Sequence, residues 1–128
     1  MTRRQLVTTT ARHKQAVGRF GEEVAARHLE MSGMEVLDRN WRTTGGELDL
    51  VLRDGRTLVI CEVKTRSSAD YGLPSDAIRP EKVRRLRRLA VQWAREHDVY
   101  LADIRIDVVS IVLSPRGAAQ VEHIEGVL

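Results

Sequence analysis

The sequence predicts an α/β domain in which helices flank a mixed sheet of about five strands. Three observations carry that reading. Three consecutive short segments are rich in apolar and β-branched residues, an amphipathic helical pattern follows them, and two further apolar runs close the chain. With a helical pattern at the start, the order is helix, three strands, helix, two strands. A length of 128 residues, 42% of them hydrophobic, suits one core and leaves little room for two.

Each element has a local reason. Residues 1–15 contain no acid and several Arg, Lys and Thr, and read as a flexible basic arm ahead of a single domain over residues 16–128. Residues 16–32 look helical: at about 100° per residue Val17, Phe20, Val24 and Met31 share one side, with Gly33 as the stop. Arg19, Glu23, Arg27 and Glu30 share the opposite side. Met34 to Trp41 reads as a first strand, ended by Thr43-Thr44-Gly45-Gly46. The segment GELDLVLRDGRTLVICEVKTR, residues 46–66, reads as two strands joined at Asp54-Gly55, a dipeptide suited to a tight hairpin turn. Residues 67–77 read as a polar loop. Beyond it Val83, Leu86, Leu89, Ala90 and Trp93 recur at helical spacing, and Ile104–Leu113 and Ala119–Ile124 end the chain as strands around Pro115-Arg116-Gly117.

Composition narrows the setting. No run approaches the roughly 20 apolar residues that cross a bilayer, and the N-terminus lacks the apolar block of a secretory signal. The lone cysteine, Cys61, lies in the most apolar run, which suits a reducing compartment. A cytoplasmic protein with no membrane partner is expected. The formal charge is +3, and it is unevenly placed. Arg79, Lys82, Arg84, Arg85, Arg87, Arg88 and Arg95 are opposed only by Glu81, so the second helix should have a basic outer face.

The two hairpin strands carry charges that a core strand should lack. With Asp54-Gly55 as the turn, Glu47 lies opposite Glu62 and Asp49 opposite Ile60. Glu47, Asp49, Glu62 and Lys64 then project to one side, and Leu48, Leu50, Leu52, Val59, Cys61 and Val63 to the other. Opposed like charges weaken a strand pair unless solvent or a cation neutralises them. One reading is a half-solvated face with Lys64 paired to an acid. The other is a site for a hard ion such as Mg²⁺ or Mn²⁺, which prefers oxygen ligands.

Asp49 followed by Glu62-Val63-Lys64 resembles the signature of the restriction-endonuclease-like nucleases, the PD-(D/E)xK superfamily. Leu48 stands where that pattern has Pro. A longer match comprises Gly18-xx-Gly21-Glu22, Asn40-Trp41-Arg42, Gly46-Glu47-Leu48-Asp49-Leu50, Glu62-Val63-Lys64-Thr65-Arg66, Tyr71-Gly72, Lys82 and Arg105-Ile106-Asp107-Val108-Val109. Together these resemble the uncharacterised bacterial family UPF0102 (YraN-like), which is similar to archaeal Holliday-junction resolvases. The resemblance implies a restriction-endonuclease-like fold and a Mg²⁺- or Mn²⁺-dependent endonuclease. It also implies that Asp49 and Glu62 ligate the ion with the Val63 carbonyl, while Lys64 orients or activates water. Glu22 matches the acid on the first helix of resolvase-like members. Helical geometry supports that choice, because Glu22 falls about 60° from Ala25 at the edge of a small-residue arc.

The expected substrate is DNA, branched or otherwise structured, and symmetric cleavage of a junction would call for a homodimer. Arg42 and Arg66 flank the acids and could clamp phosphate. Lys82, Arg84, Arg85, Arg87 and Arg88 would add contacts that ignore sequence. The alternative is a nucleic-acid-binding module of the same fold without turnover, and a third is an interaction adaptor whose charges only solubilise it. The scattered His13, His28, His97 and His123 read as structural, Trp93 as core, and Asp107 as a partner for Arg105 or a helix cation.

Overall fold

A computed structural model describes residues 3–67 and 79–127, with side chains outside the description for residues 3–11 and Lys14. The polar loop expected beyond Ser67, and Tyr71-Gly72 within it, lie outside the described residues. In chain order the elements are α1 (Arg3–Met31), β1 (Glu35–Thr43), β2 (Gly46–Asp54), β3 (Thr57–Ser67), α2 (Pro80–Glu96), β4 (Asp103–Leu113) and β5 (Gln120–Ile124). The strands form one five-stranded sheet in the order β1-β2-β3-β4-β5. Only β3 and β4 run parallel, joined by the crossover that contains α2; the other neighbours are antiparallel. The expected mixed α/β architecture is the one observed.

Both sheet faces are covered, which explains the near-continuous apolar runs of β2, β3 and β4. On one face Val83, Leu86, Leu89, Ala90 and Trp93 of α2 pack against Leu48, Val51, Leu58, Ile60, Ile106 and Val108. On the other, Ala25, Ala26 and Leu29 of α1 pack against Leu50, Leu52, Val59, Cys61, Val109 and Ile111. Pro80 opens α2 where its missing N–H has no partner to lose. Trp93 is core, as expected, and its indole N–H donates to Asp38 of β1 at 2.8 Å. Among the described residues, no helix is long and apolar enough to cross a membrane.

Three expectations are corrected. Helical backbone begins at Arg3 instead of residue 16, so the segment read as a basic arm belongs to α1 from Arg3 onward. No Gly or Pro interrupts residues 3–15, and extending an existing helix is far easier than starting one. The inner face of α1 also differs: Phe20 is 52% and Met31 89% exposed, whereas Gly21, Ala25 and Leu29 are buried. Small residues bring this helix close to the sheet, and they carry little weight in a hydropathy pattern. Third, the hairpin register is slipped. Asp54 pairs with Thr57 and Leu50 with Cys61, which makes Gly55-Arg56 the turn, with Gly55 at φ +60°. The slip is two residues, so each side chain that pairs keeps its face.

α1 comes close to the sheet at Gly21, where a Cβ would overlap the Thr65 side chain of β3. Helix propensity alone favours Gly21→Ala by about 1 kcal/mol. Overpacking at Thr65 opposes it and should win, so Gly21→Ala is expected to lower stability by about 1–3 kcal/mol. Urea unfolding checks this, and Thr65→Ala in the same chain should restore part of the loss; a Gly21→Ala protein as stable as wild type would mean that α1 packs elsewhere.

Candidate active site

The β2–β3 ladder stops at Leu50 and Cys61 although both strands continue. Beyond that point β2 stays with β1 down to Gly46, and β3 stays with β4 up to Ser67, so the sheet opens between its second and third strands. Asp49 sits where it opens. Its carboxylate Oδ2 accepts the Val63 backbone N–H at 2.9 Å, in place of a ladder bond. Leu48 and Leu50, which would share a face in a regular strand, consequently join the cores on opposite faces. That is the one departure from the expected apolar side of the hairpin, on which simple alternation puts Leu48 with Leu50.

The opening lets acids from different layers meet. Glu22 of α1, Glu62 of β3 and Glu47 of β2 all act electrostatically on Asp49. Burial, reinforced by Glu62, pushes the Asp49 carboxyl up to about 7, with the Val63 N–H working in the opposite direction. Glu62 follows Ile60 onto the α2 face, where Lys82 Nζ in the first turn of α2 donates to its Oε1 at 2.9 Å. Lys64 and Glu22 line a cavity of about 750 Å³ with Asp49, between α1, the end of β3 and the β4–β5 turn. The expected single face for all four charged hairpin residues is therefore revised. Asp49, Lys64 and Glu22 share the cavity, Glu62 acts on Asp49 through its charge while pairing with Lys82, and Glu47 pairs with Arg42 at 3.1 Å on the exposed side of β1–β2.

The expected phosphate-binding residues are spread more widely. Arg42 is exposed and joined to Glu47, whereas Arg66 is buried at 9% exposure. Arg84, Arg85, Arg87 and Arg88 are exposed on α2, and Arg87 donates to the Ile104 carbonyl at 3.1 Å. Lys82 is the α2 cation that reaches the acidic cluster. Asp107 is fully buried and takes hydrogen bonds from Arg105, His123 and the Gly126 N–H, in keeping with its expected role as a structural partner of Arg105. His123 belongs to that network, and His97 stacks on Trp93 with ring centres 4.2 Å apart.

Sequence reasoning missed the rest of the cavity wall. His13, Val17 and Gly18 of α1 line it, as do Leu113 and Pro115. The signal that could have found it is Gly18 itself, since a glycine inside a helix weakens it unless something needs the space.

The chain matches the model of the uncharacterised protein family UPF0102 over residues 21–111. It is 55% identical over 116 residues to a UPF0102 protein of Beutenbergia cavernae, a match covering 91% of this chain and 98% of that one. A UPF0102 protein of Nocardioides sp. is 56% identical over 114 residues, covering 89% and 92%. One from Frankia alni is 53% identical over 115 residues, covering 90% and 96%. The span of the family match runs from Gly21, where α1 meets Thr65, through most of β4, and includes Glu22, Asp49, Glu62, Lys64 and Lys82. The chain belongs to the uncharacterised protein family UPF0102.

Proposed function

We propose that this protein is a restriction-endonuclease-like, metal-dependent nuclease that hydrolyses DNA phosphodiester bonds in the cytoplasm. The observation that carries the reading is Asp49, a largely buried carboxylate at the opening of the sheet, raised to about 7 by burial and Glu62 and facing a cavity with Lys64. A fold gains nothing from a crowded acid cluster of this kind, whereas a cation site needs one.

The donor set suits Mg²⁺ or Mn²⁺. Among the described residues no three His, Cys, Asp or Glu side chains form a ready-made cage. Mg²⁺ does not require one, because it keeps several waters and uses one or two carboxylates together with substrate phosphate. Asp49, Glu62 and the Val63 carbonyl would hold it. Once bound, the ion supplies Lewis acidity, stabilising charge on the phosphate and making water more acidic.

The chain's own groups do the rest. Lys64 brings an ammonium to the cavity, where it orients the attacking water and offsets charge on the phosphoryl oxygens. Glu22 approaches from α1 into the same cavity, where its carboxylate would take the outer position beside Asp49. Lys82 neutralises Glu62 before substrate binds and can turn to a phosphate afterwards. The exposed arginines of α2 attract the DNA backbone irrespective of sequence.

The rival reading, a binding module without turnover, draws on the Lys82–Glu62 ion pair, which occupies one of the proposed ligands. Glu62→Gln separates the two. With Mg²⁺ or Mn²⁺, purified wild type is expected to cut labelled linear, flapped or four-way DNA, and Glu62→Gln to be slower by at least about 100-fold while still binding. Equal residual cleavage by both would assign it to a contaminant and favour the binding module. Replacing Arg84, Arg85 and Arg88 with Gln should flatten the plot of log affinity against log salt, by about 0.9 for each phosphate no longer neutralised. An unchanged slope would make the basic face a solvated surface.

Asp49 also sets a pH dependence. Its folded value of about 7 lies above the ordinary 3.8, so between those values the folded state holds a proton that the unfolded state has released. The associated stability is complete below about pH 4 and is lost as pH rises through 7. In chelator, Asp49→Asn should therefore gain stability relative to wild type as pH goes from 4 to 8, and Mg²⁺ should narrow the gap at pH 8 by stabilising wild type alone. Thermal unfolding at several pH values reads this, and a gap independent of pH would mean that Asp49 is not held protonated.

A further inference from the structure

The cavity wall mixes charged and apolar groups. Asp49, Glu22 and Lys64 bring charge to it, while Val17, Leu113 and Pro115 bring apolar surface with His13 and Ser114 among them. Gly18 also lines it, and its geometry contrasts with that of Gly21 three residues on. Gly21 is required by its closeness to Thr65, but a Cβ at Gly18 would meet nothing within 4 Å. No packing explains a helix-weakening residue there, and it lines the cavity. Its missing side chain leaves room for something that enters.

We propose that the cavity receives one unpaired nucleotide, so that the substrate is DNA with a single-stranded segment at the scissile phosphate; this rests on the nuclease reading above. A nucleotide offers partners for both kinds of group, an anionic phosphate and the apolar faces of a base. A volume of about 750 Å³ is of the size that encloses a small-molecule ligand, whereas a continuous duplex brings two strands. In a duplex the base faces are stacked inside, leaving phosphates and groove edges on view, so nothing would reach Val17, Leu113 and Pro115. An unpaired base exposes its faces, and burying them against apolar side chains is the usual way such pockets hold an extruded nucleotide. Gly18 lets the base or sugar approach the α1 backbone. The phosphate then falls toward Lys64 and Asp49.

The test uses the full chain, a fluorescent single-stranded DNA oligonucleotide and a blunt duplex of the same sequence, with binding measured in chelator and cleavage in Mg²⁺ or Mn²⁺. Wild type should bind the single strand at least about tenfold tighter than the duplex, beyond any preference set by the basic face of α2. Gly18→Leu fills the cavity, and Gly18→Ala fills less of it; both are better helix formers than glycine, so their melting temperatures should equal or exceed wild type. The preference should shrink with Gly18→Ala and vanish with Gly18→Leu, while duplex binding stays the same. Equal affinity of wild type for both DNAs, or a preference that survives Gly18→Leu, overturns the proposal. Failure of wild type to bind either DNA overturns both it and the nucleic-acid reading. A single-strand preference abolished by Gly18→Leu with no cleavage under either metal upholds the pocket and sinks the nuclease assignment alone.

Discussion

The organisation of this protein follows from one hydrogen bond, the 2.9 Å interaction in which the Asp49 carboxylate takes the Val63 N–H. A regular ladder would satisfy that N–H with a carbonyl of β2. By substituting a side chain, the sheet remains hydrogen-bonded while β2 and β3 part company. Separation at this point turns Leu48 to the α2 side and leaves Leu50 on the α1 side, so each core keeps an apolar contribution from the same strand. It also exposes the interior of the sheet from its end, and acids that start on opposite faces come within electrostatic reach of one carboxylate. Pairing continued through this stretch would keep α1 and α2 chemically separate layers.

Asp49 and Asp107 show how differently one fold treats two carboxylates, one half-buried and one fully buried. Burial acts to raise both. At Asp107 it is overcome by the Arg105 guanidinium, the Gly126 N–H and His123, which hold the carboxyl below its usual range. Arg105 reaches on to Asp54 at 3.1 Å, so this network fastens β4 to the hairpin and to the chain after β5. At Asp49 the nearby side chains that act most strongly are other acids. One aspartate is neutralised where it stands and serves as a rivet, while the other is left in want of positive charge. Lys82 supplies some of that charge through Glu62, from a helix whose remaining cations point outward.

Much of this is legible in the sequence. The buried side of α2 can be read residue by residue, because Val83, Leu86, Leu89, Ala90 and Trp93 are large enough to mark the period, Ala90 excepted. Strand order and type follow from alternation and turn residues, and a two-residue error in the hairpin register does no harm because side chains alternate with period two. What stays hidden has physical causes. The inner face of α1 is built on Gly21, Ala25 and Ala26, whose lack of bulk is the reason they are there and the reason hydropathy overlooks them. The crossing of Leu48 to the other core depends on a side chain from one strand capturing an amide of another, which no local pattern encodes.

The parallel pairing of β3 with β4 has a consequence for the order of assembly. Antiparallel pairing of β2 with β3 closes a two-residue turn at Gly55-Arg56, but β4 can join β3 only after the chain from Ser67 to Asp103 has been looped back. Loop-closure entropy grows with the length enclosed, so the hairpin is the cheaper nucleus and the parallel ladder the later event. Asp49, Glu62 and Lys64 all lie on the hairpin, and Glu22 lies on the helix just before β1. The acidic cluster can therefore gather in the N-terminal half of the chain while β4 is still unpaired. The Arg105–Asp107 network, which balances the Asp107 carboxylate with positive charge, arrives only when the sheet is complete. The acids left short of positive charge thus meet in the half of the chain that can pair early, and the neutralised aspartate is set in place by the half that pairs late.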